Sequence, residues 1–214
     1  MKNDQNNAKI KVGIAILAAF LLFSFLFATS IMNFWLQMSV TVIALCFLAY
    51  LLDRHGFKQI LKEETSQSTL KTIAIGLGSA VALYFVFFVG NIAASWIRGG
   101  TENIADVYTL KHDNPVWMMT LVIALIVGPG EELFWRGYVQ RSISGKAGNM
   151  AGLLISSACY CIAHLASSNF MLLAAALICG LFWGALYWKF KNIYINIISH
   201  VAWDLMVFIF FPFN

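Results

Sequence analysis

The chain has 214 residues, of which 60% are hydrophobic and only 11% are charged, and its mean hydropathy is +0.77. A soluble domain carries roughly 25% charged residues, so this composition excludes an ordinary soluble domain and indicates a membrane protein. The formal net charge is +4, but the basic residues are spread over short loops. They therefore report membrane topology, with membrane lipid as the surroundings, and no nucleic-acid partner is expected.

Seven stretches are long and apolar enough to cross a membrane, which takes about 20 residues in a helix. They cover residues 12–32, 34–52, 72–96, 115–139, 150–167, 170–188 and 192–211. The sequence therefore predicts an all-α fold, a polytopic transmembrane helical bundle of about seven spans. Pro129 is expected to kink the fourth span, because proline cannot donate a helical hydrogen bond.

Lysine and arginine are distributed unevenly between the two sets of loops. With the N-terminus inside, the inner segments hold eleven of them: Lys2, Lys9, Lys11, Arg54, Lys58, Lys62, Lys71, Arg141, Lys146, Lys189 and Lys191. The outer segments hold only Arg98 and Lys111. Because basic residues accumulate in cytoplasmic loops, we expect the N-terminus inside and the C-terminus outside. The short loops and small size favour a bacterial cytoplasmic membrane.

Two local patterns bear on the bundle itself. Residues 53–71 mix charged and apolar side chains, which fits either a short amphipathic helix on the inner membrane surface or a solvated loop. Gly180 and Gly184 form a GxxxG pattern in the sixth span. This pattern predicts close packing between helices of the bundle, in preference to a dimer interface.

Few ionisable or strongly polar side chains remain at depth once the loops are set aside, and one group of them falls on three spans. They are Glu131, Glu132 and Arg136 on the fourth span, His164 on the fifth, and Asn196, His200 and Asp204 on the seventh. A charged group at the bilayer centre costs about 3 kcal/mol on insertion scales. Each residue alone has a structural explanation, such as an ion pair or a hydrogen bond between helices. Their coincidence on three helices favours a functional site.

Helical spacing separates the two glutamates. Glu132 and Arg136 are four residues apart, so they share a face and can pair. Glu131 lies about 100° around the helix from Glu132, so it points toward different neighbours. We expect Glu132 to be structural and Glu131 to carry the chemistry.

The formal charges of this group do not balance, because Glu131, Glu132 and Asp204 face only Arg136. One solution is a divalent metal, zinc or another, held by His164, His200 and the carboxylates Glu131 and Asp204. The other is protonation, with Glu131 as general base on water and a histidine stabilising the oxyanion. Both solutions activate water and predict hydrolysis. Neither a G-x-S-x-G elbow nor an HExxH motif is present.

The ordered motifs resemble those of the CPBP (Abi) family of intramembrane proteases, which includes the type II CAAX prenyl endopeptidase and bacterial relatives tied to bacteriocin immunity and peptide processing. The motifs are Glu131-Glu132-Leu-Phe-Trp-Arg136, Tyr160-x-x-x-His164 and His200-x-x-x-Asp204. The resemblance implies a CPBP-type catalytic core in residues 115–214, preceded by N-terminal helices and loops in residues 1–114. It differs from the common pattern in Tyr160, where Phe is frequent, and in Asp204, where the prenyl proteases have Asn.

The resemblance implies a catalytic role for Glu131, with His164 and His200 as its partners. Asp204 completes this implied site, and Glu132 with Arg136 supports it. The expected activity is cleavage of a peptide bond in a peptide or membrane-tethered protein substrate. Two other classes stay open, a proton-coupled transporter or channel built from the same residues, and a non-catalytic immunity scaffold.

Helix lengths at about 1.5 Å per residue predict that Glu131 and His200 meet in the inner half of the membrane. We therefore expect the site to be reached from the inner half or the inner face. His164 then lies too far from the inner surface to join them. Its inclusion requires that the fifth span begins later, or that the fourth runs on as a helix to about Ser142.

Overall fold

The computed structural model describes residues 2–63, 68–111 and 114–213, which are mostly helical and contain no strand. Nine helices follow one another within these ranges. They are α1 (Lys2–Ala28), α2 (Phe34–Leu52), α3 (Arg54–Glu63), α4 (Thr69–Ala94), α5 (Gly100–Thr109), α6 (Val116–Ala147), α7 (Asn149–Ala163), α8 (Phe170–Phe190) and α9 (Ile193–Phe210). The predicted all-α bundle is confirmed.

Seven of these helices are long and apolar enough to span a membrane, and the chain is an integral membrane protein. The seven segments are Lys9–Ala28, Phe34–Leu52, Thr69–Ala94, Val116–Ala147, Asn149–Ser167, Phe170–Phe190 and Ile193–Phe210. They coincide with the seven predicted spans apart from small shifts at their ends. The one large difference is the fourth span, which runs on as a helix to Ala147 and ends at Gly148.

The length of α6 determines which residues of the fourth and fifth spans lie at the same depth in the bundle. Gly148 reverses the chain with φ of +87°, a left-handed conformation that favours glycine. Glu131 precedes this turn by almost as many residues as His164 follows it, so the two reach the same level in the bundle. The expectation that the fourth span continues as a helix is therefore confirmed, and it removes the mismatch in depth.

The middle of α6 departs from α-helical geometry around Pro129. A π-helical turn covers Ile123–Val127, a short α-helical piece covers Gly128–Glu132, and a second π-helical stretch covers Leu133–Gln140. Proline provides no N–H and its ring crowds the preceding turn, so the hydrogen bonds around it shift partners. Such π-helical insertions occur frequently at functional sites, and here they lie on both sides of the two glutamates.

One end of the bundle collects the basic residues, and we call it the basic end. Side chains tie its segments together through Arg141 with Asp53 (2.6 Å), Lys191 with Asn149 (3.1 Å), and Tyr194 with the carbonyl of Leu61 (3.1 Å). Helix α3 lies here and buries Ile60 against Tyr187 and Ile193. Of the two alternatives for residues 53–71, a short helix is thus confirmed for Arg54–Glu63, while residues 64–67 lie outside the described part.

The opposite end carries the loops between α1 and α2, between α4 and α6, and between α7 and α8, and we call it the loop end. Hydrogen bonds close these loops on one another: Trp35 Nε1 to the Leu110 carbonyl (2.9 Å), Asn169 Nδ2 to the Asn103 carbonyl (2.7 Å), and Phe213 N to Tyr108 Oη (3.0 Å). Helix α5 lies at this end, between α4 and α8.

Close packing in the core depends on small residues at helix crossings. A Cβ at Gly180 would lie 3.2 Å from Ser157, and one at Gly184 would lie 2.5 Å from Leu153 Cδ1. These two glycines therefore let α8 approach α7 closely, which confirms the predicted role of the GxxxG pattern inside the bundle.

Candidate active site

Glu132 is fully buried, and its carboxylate accepts three hydrogen bonds. Arg136 Nη1 and His200 Nδ1 each lie 2.8 Å from Oε1, and Asn196 Nδ2 lies 3.0 Å from Oε2. The Arg136 contact follows from the i,i+4 spacing on α6, as predicted. Because a carboxylate accepts hydrogen bonds, the Nδ1 of His200 is the donor. Glu132 therefore joins α6 to α9 and orients the His200 ring.

Arg136 extends the same network to α8. Its Nη2 donates to the backbone carbonyls of Cys179 (3.2 Å) and Gly180 (3.3 Å). Its guanidinium also lies over the rings of Tyr160, at 5.0 Å, and Trp183, at 5.5 Å. Cation–π contacts of this kind strengthen where water is excluded, and Arg136 is only 1% exposed.

Glu131 points away from this network and into a cavity. The hydroxyl of Tyr160 donates to Glu131 Oε2 at 2.8 Å. Its other oxygen, Oε1, is buried and has no hydrogen-bond partner among the described residues. The predicted separation of the two glutamates is therefore present in the geometry. Glu132 is saturated with donors, whereas Glu131 keeps one oxygen unpartnered.

His200 presents its second nitrogen to the cavity. With Nδ1 bonded to Glu132, Nε2 lies 3.7 Å from Glu131 Oε2 and 3.5 Å from Asp204 Oδ2. The indole of Trp183 stacks on the imidazole with ring centroids 3.7 Å apart and planes 19° apart. The His200 ring is therefore held by the hydrogen bond from Nδ1 to Glu132 and by the face of the Trp183 indole.

His164 reaches the cavity from the end of α7. Its Nδ1 lies 2.8 Å from the backbone carbonyl of Tyr160, and since a carbonyl only accepts, Nδ1 carries the proton and Nε2 is uncommitted. The rings of Phe23 and Phe27 on α1 lie 5.1 Å and 5.7 Å from the imidazole. The contribution of α1 has no signal in the sequence, because phenylalanines in an apolar span do not reveal which residue they contact.

The three polar residues on α9 do not act as one stripe. Asn196 turns toward Glu132, also donating to the Trp183 carbonyl at 2.8 Å, whereas Asp204 faces the cavity beside His200. Ser156, Tyr160 and His164 follow one another at intervals of four residues along α7 and its C-cap, and they divide in the same way. Ser156 donates to the Trp135 carbonyl at 3.2 Å and joins helices, while Tyr160 and His164 contribute to the cavity lining.

The cavity has a volume of about 250 Å³ and contains Glu131, His164, His200 and Asp204 along its wall. The remaining lining is largely apolar and aromatic, and it extends to Phe34, Asn91, Val107, Tyr108 and Phe213 at the loop end. The expectation that the site is reached from the inner half or the inner face stays a prediction, and in the expected orientation it differs from the direction in which the cavity extends. It assumed that the fourth span ended near residue 139, whereas the additional turns of α6 displace the site toward the loop end.

The proposed metal ligands are not arranged as a metal site. Within the described ranges, no three His, Cys, Asp or Glu side chains are grouped to hold a metal ion. Around His200 Nε2 the two carboxylates lie at 3.5 Å and 3.7 Å, and ligands that each lie about 2.0–2.2 Å from one ion can have separations close to these. His164 is directed by its bond to Tyr160. Metal binding by the set His164, His200, Glu131 and Asp204 therefore stays a prediction.

The fold and this cluster define a class, a polytopic helical membrane protein with a buried carboxylate–histidine site beside an apolar cavity. A family model described as Type II CAAX prenyl endopeptidase Rce1-like matches residues 113–206, just under half of the chain. The resemblance to the CPBP and CAAX-protease-like family is thereby confirmed for this segment, which contains all six predicted site residues. No match was found among curated proteins or among solved structures.

Proposed function

We propose that the chain is an intramembrane endopeptidase that cleaves a peptide bond in a peptide or membrane-tethered substrate, with Glu131 as the general base. The match to an endopeptidase family supports the protease class. The observation that carries the proposal is the Glu131 carboxylate, which has one unpartnered oxygen beside the cavity. A buried polar oxygen without a partner is costly unless water satisfies it, and the cavity is large enough for water.

The reaction assigns one role to each uncommitted group. Glu131 Oε1 accepts a proton from water, and His164 Nε2 accepts a hydrogen bond from the same water and orients it. The water oxygen attacks the carbonyl carbon of the peptide bond. His200 in its protonated form donates from Nε2 to the developing oxyanion, and Asp204 stabilises that positive charge. The C–N bond then breaks, and Glu131 returns its proton to the departing amine.

The experiment that tests this proposal is processing of the native substrate in cells by wild type and by the Glu131→Ala and His164→Ala variants. We expect both variants to accumulate unprocessed substrate while reaching the membrane at wild-type levels. Normal processing by both variants would refute the protease function.

The metal content of the purified protein provides a separate test of the mechanism. Because no three of these side chains are grouped as a metal site in the described ranges, we expect less than stoichiometric zinc, and equal amounts in wild type and His200→Ala. Elemental analysis of both proteins, purified without chelators, measures this. One metal per chain in wild type that is lost in His200→Ala would contradict the metal-free mechanism and support the ligand set His164, His200, Glu131 and Asp204.

A further inference from the structure

The two ends of the bundle differ in charge and in access to the cavity. The basic end holds Lys9, Lys11, Arg54, Lys58, Lys62, Lys71, Arg141, Lys146, Lys189 and Lys191, whereas the described loop end holds Arg98 and Lys111. From Glu131 the cavity extends only toward the loop end. Its lining there includes Phe34 at the start of α2, Asn91 in the last turn of α4 and Val107 on α5. Access and positive charge are therefore at opposite ends.

The basic end is the cytoplasmic one if the chain follows the usual distribution of lysine and arginine. From this geometry we infer that the site receives its substrate from the extracytoplasmic face of the membrane. That the occupant is a substrate rests on the proposed function. The direction in which the cavity extends does not depend on that function. The occupant of the cavity is an apolar segment of peptide at the outer surface, because the path to Glu131 is lined mainly by apolar and aromatic side chains.

Helix α5 determines how such a segment would enter. Ile104, Val107 and Tyr108 face the cavity, whereas Thr101 and Glu102 on the same helix are exposed. An amphipathic helix of this kind lies at a membrane surface with its apolar side inward. The hydrogen bond from Asn169 Nδ2 to the Asn103 carbonyl fastens α5 to the start of α8 at 2.7 Å. A substrate segment would therefore pass beside α5 and descend toward Glu131.

Thiol accessibility tests this inference in intact cells. In a background with all four cysteines replaced by alanine, Asn91→Cys introduces a thiol into the cavity lining near the loop end. Thr101→Cys is the exposed control at the same end, and Lys146→Cys is the exposed control at the basic end. We expect a membrane-impermeant maleimide to label the first two in intact cells, and to label Lys146→Cys only after permeabilisation.

Processing measured after labelling completes the test. We expect the maleimide on Asn91→Cys to reduce processing at least tenfold, and the same reagent on Thr101→Cys to leave it unchanged. Labelling of Lys146→Cys but not Thr101→Cys in intact cells would overturn the inference. An unchanged rate after complete labelling of Asn91→Cys would also overturn it. The labelling pattern does not depend on catalysis, so a failure of Glu131→Ala to block processing would refute the proposed function alone.

A second inference rests on the hydrogen bonds of Tyr160. Its hydroxyl donates to Glu131 Oε2 at 2.8 Å, and its backbone carbonyl accepts from His164 Nδ1 at 2.8 Å. One residue thus directs both the carboxylate and the imidazole. Its ring is held in place by Trp135, with centroids 5.4 Å apart, and by the Arg136 guanidinium on its face.

We propose that Tyr160 is a positioning residue, whose hydroxyl holds Glu131 Oε2 so that Oε1 remains directed at the bound water. Removing a hydrogen bond to a charged group costs roughly tenfold to a hundredfold in rate when the bond sets the reactive geometry. In Tyr160→Phe, the carbonyl still orients His164 and the ring still packs against Trp135. We therefore expect kcat to fall roughly tenfold or more, with KM within a factor of two of wild type.

Tyr138→Phe is the matched control, because Tyr138 is equally buried on α6 but lies toward the basic end beside Arg141. We expect this control to keep both kcat and KM. Thermal unfolding of both variants in detergent separates positioning from stability. A wild-type kcat in Tyr160→Phe would overturn the inference, and so would a fall in kcat fully matched by loss of folded protein.

Discussion

Glu131→Gln is expected to lower the rate of peptide-bond cleavage by a factor of about 10²–10⁴, the usual contribution of a general base. Glutamine has the same shape and its amide oxygen still accepts the Tyr160 hydroxyl, but it cannot take a proton from water. The fold should be little affected, because the amide keeps the Tyr160 hydrogen bond and the nearest cationic group, His200 Nε2, lies 3.7 Å from Glu131 Oε2. Cleavage of the substrate by purified protein and thermal unfolding of the same preparation measure the two effects.

Glu102→Gln is the matched control for the loss of a carboxylate. Glu102 is exposed on α5 and away from the cavity, so its variant should cleave substrate at the wild-type rate. Cleavage by Glu131→Gln at more than a tenth of the wild-type rate would contradict the general-base role. A proton-coupled transporter makes a different prediction, namely a pH-dependent flux in liposomes that disappears in Glu131→Gln without any cleaved product.

Glu132→Ala is expected to lower the free energy of unfolding by about 3–5 kcal/mol, since it leaves one partner of a buried ion pair uncompensated. Arg136 would keep its positive charge in an apolar core, and the donors on Asn196 and His200 would lose their acceptor. Cleavage should be lost as well, because the His200 ring is no longer oriented. Denaturant or thermal unfolding in detergent, together with the cleavage assay, measures both.

The double variant Glu132→Ala/Arg136→Leu separates two causes of the lost stability, the uncompensated charge of Arg136 and the lost volume of the Glu132 side chain. Replacing both members of a buried ion pair by apolar residues is far less costly than removing one. We therefore expect the double variant to regain part of the lost stability while cleavage stays absent, since nothing restores the bond to His200. If Glu132→Ala alone were as stable as wild type, Glu132 would not support the structure. Substitution of Glu131 would thus impair the chemistry, whereas substitution of Glu132 would impair folding.

Much of the fold follows directly from the sequence because the physical requirements are local. A membrane helix must be apolar over about 20 residues, so each span is visible as an uninterrupted stretch, and all seven were predicted. The separation of Glu131 from Glu132 is also local, because a step of 100° per residue determines which of them shares a face with Arg136. Hydropathy alone places the end of the fourth span near residue 139, because Arg141 and Lys146 end the apolar stretch without ending the helix.

Other features depend on contacts between residues far apart in the chain. Trp183 stacks on His200, and the Phe23 ring packs beside His164. In an apolar sequence many phenylalanines and tryptophans are equally suitable for such contacts. Similarly, Arg136 donates to the Cys179 and Gly180 carbonyls of α8 at a point where α8 packs closely against α7. The partners of a side chain in a bundle depend on helix crossings that a single sequence does not specify.

The sequence by itself determined the number of spans, the polar residues at depth and the separate faces of the two glutamates, since each depends on hydrophobicity or helical periodicity within one segment. Only the tertiary structure decided which end of the bundle the cavity reaches, which oxygen of Glu131 lacks a partner and how far apart the candidate metal ligands lie. Those properties arise from the relative placement of α5, α6, α7 and α9, and they follow from packing rather than from any single helix.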